Sequence, residues 1–271
     1  MTAWLLTAQW TAIGLWGSAG VASVTAMSRL GPDPTWDRIA RALLWAGVLA
    51  LAVVLVALWQ VLDRPPLRTL GETRLWYAML LVSLGLAIEW RGRTRILRLP
   101  MVGFGLVFLA VNVLRPETLD RTLMPALQSP WFIPHVLVYM IGYAALGLSC
   151  GVAIWSLGRC GWLRQEPADV ELELPLWLVK LGITCLTSGL VIGAVWAKEA
   201  WGHYWSWDPK ETWAFLSWAG YVALLHLAQS RIAKPRGLLW LIAVAFLGVL
   251  GCWFLVNMLP AADSSVHSYT K

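Results

Sequence analysis

Apolar residues gather into eight long runs, at about 4–27, 39–62, 75–90, 98–115, 132–157, 176–197, 211–229 and 238–259. Each run is near the ~20 apolar residues that a helix needs to cross hydrocarbon. The Gly-rich first run and the short third run have the least sharply marked ends. Connectors are short and carry breakers, as in Gly31-Pro32-Asp33-Pro34 and Arg64-Pro65-Pro66. The longest, about 116–131 and 158–175, leave no room for an extramembrane domain. The pattern predicts an all-α polytopic membrane helix bundle of about eight transmembrane helices, with an external Trp-rich loop between the sixth and seventh. The first four runs form a set of N-terminal transmembrane helices over 1–115. The opening Met1-Thr2-Ala3-Trp4 lacks the basic leader of a cleaved secretory signal, so the first run is read as a retained span.

Composition sharpens this picture. Apolar residues make up 59% of the chain and charged residues 13%, against about half and a quarter in soluble domains. The net charge of +6 is scattered through short loops, which argues against a nucleic-acid surface and for topology signals. An even number of spans puts both termini on one side. With the termini outside, the inner side holds thirteen basic residues and the outer side eight, which is the bias the positive-inside rule favours. The four cysteines, Cys150, Cys160, Cys185 and Cys252, form no CxxC. Three of them lie in apolar runs, where a thiol packs as a small apolar group.

The candidate chemistry sits at one connector. Six tryptophans fall within the 23 residues from Trp196 to Trp218, out of twenty in the chain. A crowded aromatic surface at the water boundary suits a large, flat, mostly apolar ligand with a polar edge, and haem is one. Of the four histidines, His135 begins the fifth run and His267 follows the eighth. Span parity puts both at the membrane face that carries the tryptophan loop. Imidazole is the usual axial ligand of haem iron, and two histidines flanking an aromatic platform would make a six-coordinate site. His226 lies about 22 Å down the seventh helix from Glu211. It is read either as a functional intramembrane group or as a side chain reaching the inner interface. His203 is read as solvent-facing. Asp208-Pro209-Lys210-Glu211 reads as a helix start, with Asp208 at N-cap, Pro209 at N1 and Glu211 completing a capping box. Such a cap fixes the exit of the loop and hence its aromatic surface.

These residues resemble the tryptophan-rich signature of the haem-handling proteins of cytochrome c maturation. The text from Trp201-Gly202-His203-Tyr204-Trp205-Ser206-Trp207-Asp208 through Pro209-Lys210-Glu211-Thr212-Trp213 is similar to the CcsA/ResC branch, the haem-ligating half of a cytochrome c synthase. The likeness extends to Leu127-Gln128-Ser129-Pro130-Trp131, His135, Gly142-Tyr143-Ala144-Ala145-Leu146, Leu225-His226 and His267-Ser268-Tyr269. The likeness covers roughly residues 124–269, which it implies form a haem-handling membrane domain, whereas residues 1–115 resemble the family only in being spans. The resemblance implies that His135 and His267 are axial ligands of haem b, carried as cargo, and that His226 helps bring haem across the membrane. It implies contacts to the macrocycle region from Trp201, Gly202, Tyr204, Trp205, Trp207, Asp208 and Trp213. It further implies a separate CcsB/ResB-type membrane partner, an apocytochrome c with a CxxCH motif, and a thioredoxin-like reductant acting indirectly. The site would face the periplasmic or outer side of a bacterial cytoplasmic or thylakoid-type membrane. No acid–base residue is assigned.

Two other readings fit the pattern less well. A b-type electron-transfer subunit pairs histidines across facing helices inside the membrane, and only His226 lies clearly within a span here. A haem exporter of the related System I type is disfavoured by the Pro209-Lys210-Glu211-Thr212 text. Reporter fusions at Lys271 and at Arg164 are expected to report opposite sides of the membrane; the same side for both would overturn the eight-span reading.

Overall fold

The computed structural model describes residues 3–28, 34–92, 94–116, 129–230 and 232–256. Their regular structure is helical, with no strand among the described residues. The helices are α1 (Ala3–Ser28), α2 (Pro34–Leu62), α3 (Leu70–Gly92), α4 (Arg98–Leu114), α5 (Phe132–Leu163), α6 (Asp169–Trp201), α7 (Pro209–Gln229) and α8 (Pro235–Leu250). A π-helical turn, Gly251–Leu255, continues α8. A helix therefore lies at each of the eight apolar runs. Four stretches, Pro34–Leu62, Phe132–Leu163, Asp169–Trp201 and Pro235–Leu255, are long and apolar enough on their own to cross a membrane. The chain is a polytopic helical membrane protein.

Several helices outrun the apolar runs that predicted them, and local chemistry explains why. α3 begins at Leu70 because Thr69 and Glu72 cap it reciprocally. The Glu72 amide donates to Thr69 Oγ1 at 3.2 Å, and the Thr69 amide donates to Glu72 Oε2 at 3.2 Å. Arg64 also grips both Glu72 oxygens, at 3.0 and 2.8 Å. α6 has 33 residues, roughly 50 Å at 1.5 Å per residue. That exceeds the ~30 Å hydrocarbon layer, so its charged ends project into the interfaces where hydropathy no longer marks a helix.

The chain forms two compact units, Met1–Leu123 and Met124–Lys271. In the first, α1 packs on α2 and α4, and α3 packs on α2 and α4. Trp16 is wholly buried at its centre, with its indole donating to the Leu44 carbonyl at 3.2 Å. The ring occupies space left by Gly47 and Gly105, where an added Cβ would lie 2.2 and 2.8 Å from it. Towards one end, Arg98 is buried and ties three helices together. It donates through Nε to Glu89 at 3.0 Å and through Nη1 to Asp37 at 2.8 Å.

In the second unit, α5 packs on α6 and α8, and α7 packs on the same two helices. The α5–α6 seam is antiparallel and in strict register. His135 meets Gly193, Tyr139 meets Gly189, and Leu146 meets Gly182. Small residues on one helix that admit large ones from its neighbour are how helices approach closely in lipid. α7 and α8 run antiparallel as well, with Ser217 beside Gly248, Trp213 beside Gly251, and the Cys252 thiol donating to the Lys210 carbonyl at 3.7 Å. The end of α8 thus returns to the level at which α7 begins.

Removing one partner of a buried ion pair leaves an uncompensated charge, at a cost of about 3–5 kcal/mol. Arg98→Ala is therefore expected to lose most of its folded yield or to unfold far below wild type in a detergent melt, while Arg115→Ala, at an exposed position, stays close to wild type. Equal stability of the two variants would contradict a structural role for this cluster.

Candidate functional site

The second unit gathers aromatic side chains at the end where α6 stops and α7 starts. His135 lies in the first turn of α5 and is half-buried. Its Nδ1 is 2.9 Å from the carbonyl oxygen of Gly189 on α6. A carbonyl only accepts, so Nδ1 carries the proton and, in the neutral ring, Nε2 carries the lone pair. Trp196 stacks on the imidazole at 5.5 Å and 27°, and Tyr139 meets it edge-on at 4.8 Å. Trp201 packs edge-on against Trp196 at 4.8 Å. From His135 the aromatic series continues through Tyr139 and Tyr143 to Trp253, in steps of 5.5 and 5.7 Å. An imidazole fixed in this way, within an aromatic wall, can hold a metal ion that forms part of a flat apolar ligand.

The loop between α6 and α7 is built from its ends inward. α6 stops at Trp201 because Gly202 adopts φ +86°, the left-handed conformation that ends helices, and its amide donates to the Lys198 carbonyl at 3.0 Å. The Lys198 ammonium closes the same turn, donating to the Gly202 carbonyl at 2.7 Å. At the far end Asp208 is the N-cap of α7, with Oδ1 accepting from the Lys210 amide at 3.0 Å; Pro209 follows at the first helical position, and Glu211 completes the capping box. The cap read from the sequence is present.

Glu211 does more than its capping role required. Its Oε2 accepts from the amides of Ser206 at 2.8 Å and Asp208 at 3.2 Å, and from the Ser206 hydroxyl at 3.3 Å. Between those two amides lies Trp207, at φ +59°. A bulky residue with positive φ costs of order 1–3 kcal/mol and persists only where its surroundings over-determine it. Here both flanking amides are tied to one buried carboxylate, and the Trp207 carbonyl accepts from Thr212 Oγ1 at 3.1 Å. The left-handed turn holds the Trp207 ring outward, 65% exposed.

The sequence-selected residues therefore fall into distinct places. Trp201 stands with Trp196 beside His135. Trp205 and Trp207 pair edge-on at 5.7 Å, and Trp207 reaches Phe215 on α7 at 6.0 Å. Tyr204 is exposed, with the Lys198 ammonium 5.6 Å from its ring centre. Trp213 turns inward against Gly251. His203 is exposed in the loop. His226 is in the last turn of α7, exposed on its surface and at the opposite end of that helix from Asp208. His267 lies outside the described residues. Four further residues shape the site: Gly189, Gly193, Trp196 and Tyr139. Trp196 was already counted in the tryptophan cluster, and the Gly189-to-Gly193 spacing on one helix face was the trace of the two glycines in the sequence.

The fold and this arrangement define a class, a helical membrane protein that presents an imidazole and an aromatic loop at one end of a four-helix unit. The chain belongs to the cytochrome C assembly protein family, whose sequence pattern matches residues 66–262. That match starts well before the region whose likeness was legible in the sequence. The chain is 34% identical over 254 residues to cytochrome c biogenesis protein CcsA of Prochlorococcus marinus subsp. pastoris, covering 82% of this chain and 80% of that protein. It is 33% identical over 192 residues to the CcsA protein of Cuscuta exaltata, covering 60% and 61%. Among solved structures, cytochrome c heme lyase CcmF shares the fold, with a TM-score of 0.70 at 20% identity. The likeness covers 99% of this chain, which spans about half of that protein, 49% of its length. Family membership places the chain in cytochrome c maturation.

Loss of the Asp208 cap is expected to cost about 0.5–2 kcal/mol, largely restored by Asn. Glu211→Ala leaves three donors without an acceptor and is expected to cost more, since bonds to a charged group contribute about 1.5–3 kcal/mol each. Thermal unfolding of Asp208→Ala, Asp208→Asn and Glu211→Ala in one detergent ranks them. A Glu211→Ala loss no greater than that of Asp208→Ala would contradict the bracing role.

Proposed function

We propose that this chain holds haem b as cargo at the outer face of the membrane and presents it for covalent attachment to an apocytochrome c, as the CcsA-type subunit of a cytochrome c synthase. The observation that carries the reading is the state of His135: Nδ1 is committed to the Gly189 carbonyl, which makes Nε2 the ring nitrogen that would bind a metal. A histidine that binds a metal through one ring nitrogen usually donates the other N–H to a carbonyl or carboxylate in this way. Trp196, Tyr139 and Trp201 supply an apolar wall beside it, and the braced loop adds Tyr204, Trp205 and Trp207. His267 is the proposed second axial ligand, and His226, at the other end of α7, is proposed to receive haem from the inner side.

The chemistry asked of the protein is mainly positional. The two thiols of a CxxCH segment add across the two vinyl groups, each S–H adding over one C=C bond with no net redox change. Holding the reactants in register can supply much of the required rate, since effective molarities reach about 10⁵–10⁸ M. His135 fixes the iron, the tryptophans fix the plane and exclude water, and Glu211 and Asp208 fix the tryptophans. Acid–base catalysis by a side chain is not required. A CcsB/ResB-type partner is proposed to complete the synthase, and a thioredoxin-like reductant to keep the apocytochrome cysteines as thiols.

His135→Gly and His267→Gly are each expected to abolish cytochrome c formation when coexpressed with the partner and an apocytochrome, and added imidazole to restore part of it by refilling the vacated position. His203→Ala is expected to be mild. Normal cytochrome yield in either glycine variant without imidazole would refute the ligand assignment. Haem loading of the chain with no covalent product under any condition would instead indicate export of haem to another carrier.

A further inference from the structure

We infer that Gly193, together with the main-chain carbonyl of Gly189, is a positioning device for His135 that selects the ligating nitrogen and sets its donor strength. The inference rests on the proposed ligand role of His135 and adds to it a residue with no functional group of its own. In a helix each side chain leans towards the N-terminus and covers the turn before it. The residue four places after Gly189 would therefore shield the Gly189 carbonyl from a neighbouring helix. That residue is Gly193, so the carbonyl is open to α5. The imidazole fills the space a side chain would take, and an added Cβ at position 193 would lie 2.6 Å from Cε1 and 2.7 Å from Nδ1 of His135. No real Cβ sits so near, and both atoms belong to the ring edge that makes the hydrogen bond. Even alanine must therefore push the ring away from the carbonyl. Retreat is limited on the other sides by Trp196, stacked at 5.5 Å, and Tyr139, edge-on at 4.8 Å.

The consequence is electronic as well as steric. An imidazole whose Nδ1–H donates to a carbonyl is a stronger base at Nε2 and binds iron more firmly. That favours the ferric state over the ferrous. Weakening the bond should raise the midpoint potential of the iron and loosen the ligand. The same seam supplies a control. An added Cβ at Gly182 would lie 2.5 Å from Leu146 Cδ2, an equal packing insult about three helical turns from His135.

The test uses the full-length chain, loaded with haem and purified as Gly193→Ala, Gly182→Ala, His135→Gly and wild type. Gly193→Ala is expected to show an altered axial-ligand spectrum, a raised midpoint potential and about 10–100-fold weaker haem retention. Gly182→Ala is expected to lose comparable thermal stability with an unchanged spectrum and potential. If Gly193→Ala does not fold, the His267→Gly variant serves with Gly193 retained. Its five-coordinate ferrous form should give an iron–histidine stretching frequency typical of a hydrogen-bonded imidazole. Wild-type spectrum and potential in Gly193→Ala, or a stretching frequency typical of an unbonded imidazole, would overturn the positioning role. An unchanged axial signature in His135→Gly would instead overturn the ligand assignment on which it rests.

Discussion

The close approach of α5 and α6 is the constraint on which the rest of the second unit depends. Lipid gives helices no hydrophobic reason to associate, so shape must do it. Here three glycines of α6 receive Leu146, Tyr139 and His135 in turn from α5. The register is set deep in the seam by Gly182 and Leu146 and carried upward without slip. It delivers His135 to an uncovered carbonyl and Trp196 to the face of its ring. A shift of one turn would place Tyr139 where the imidazole now sits. The position of the imidazole is thus a property of the whole seam.

A second device acts at the end of that seam. Gly202 stops α6, and Asp208 starts α7. The five residues between them cannot form a core, yet they carry the exposed rings of Tyr204 and Trp207. Their shape is set by hydrogen bonds to the buried Glu211 carboxylate, whose strength outweighs the backbone strain at Trp207. The arrangement exposes large apolar rings while keeping them fixed, and a rigid exposed aromatic surface binds a flat ligand with little entropy lost on binding.

The eight helices were legible because hydropathy in a membrane protein reports directly on what lies in lipid. Their ends were less so. α3 starts at a Thr69–Glu72 capping box inside a polar, arginine-rich stretch, and α6 continues into water at both ends, where hydrogen bonding persists after hydropathy has faded. The Asp208 cap was legible because capping is local in sequence. The brace on Ser206 was not, because a Glu at N3 looks the same whether it caps one amide or ties down a loop. His135 stood out as one of four histidines, whereas Gly189 and Gly193 did not, since a glycine's role is defined by what packs against it. Of the tryptophans read as one platform, Trp201 packs on Trp196, the ring that stacks on His135, and Trp205 pairs with Trp207, which meets Phe215 on α7.

The central claim is that the outer end of the second unit binds haem through His135. The most direct measurement is the optical and electron paramagnetic resonance spectrum of the purified full-length chain beside its His135→Ala variant, both expressed with haem supplied. The account predicts low-spin, six-coordinate haem in the wild-type chain, and in the variant either loss of haem or conversion to a high-spin form with one axial ligand. Identical low-spin spectra and equal haem content in the two proteins would contradict it.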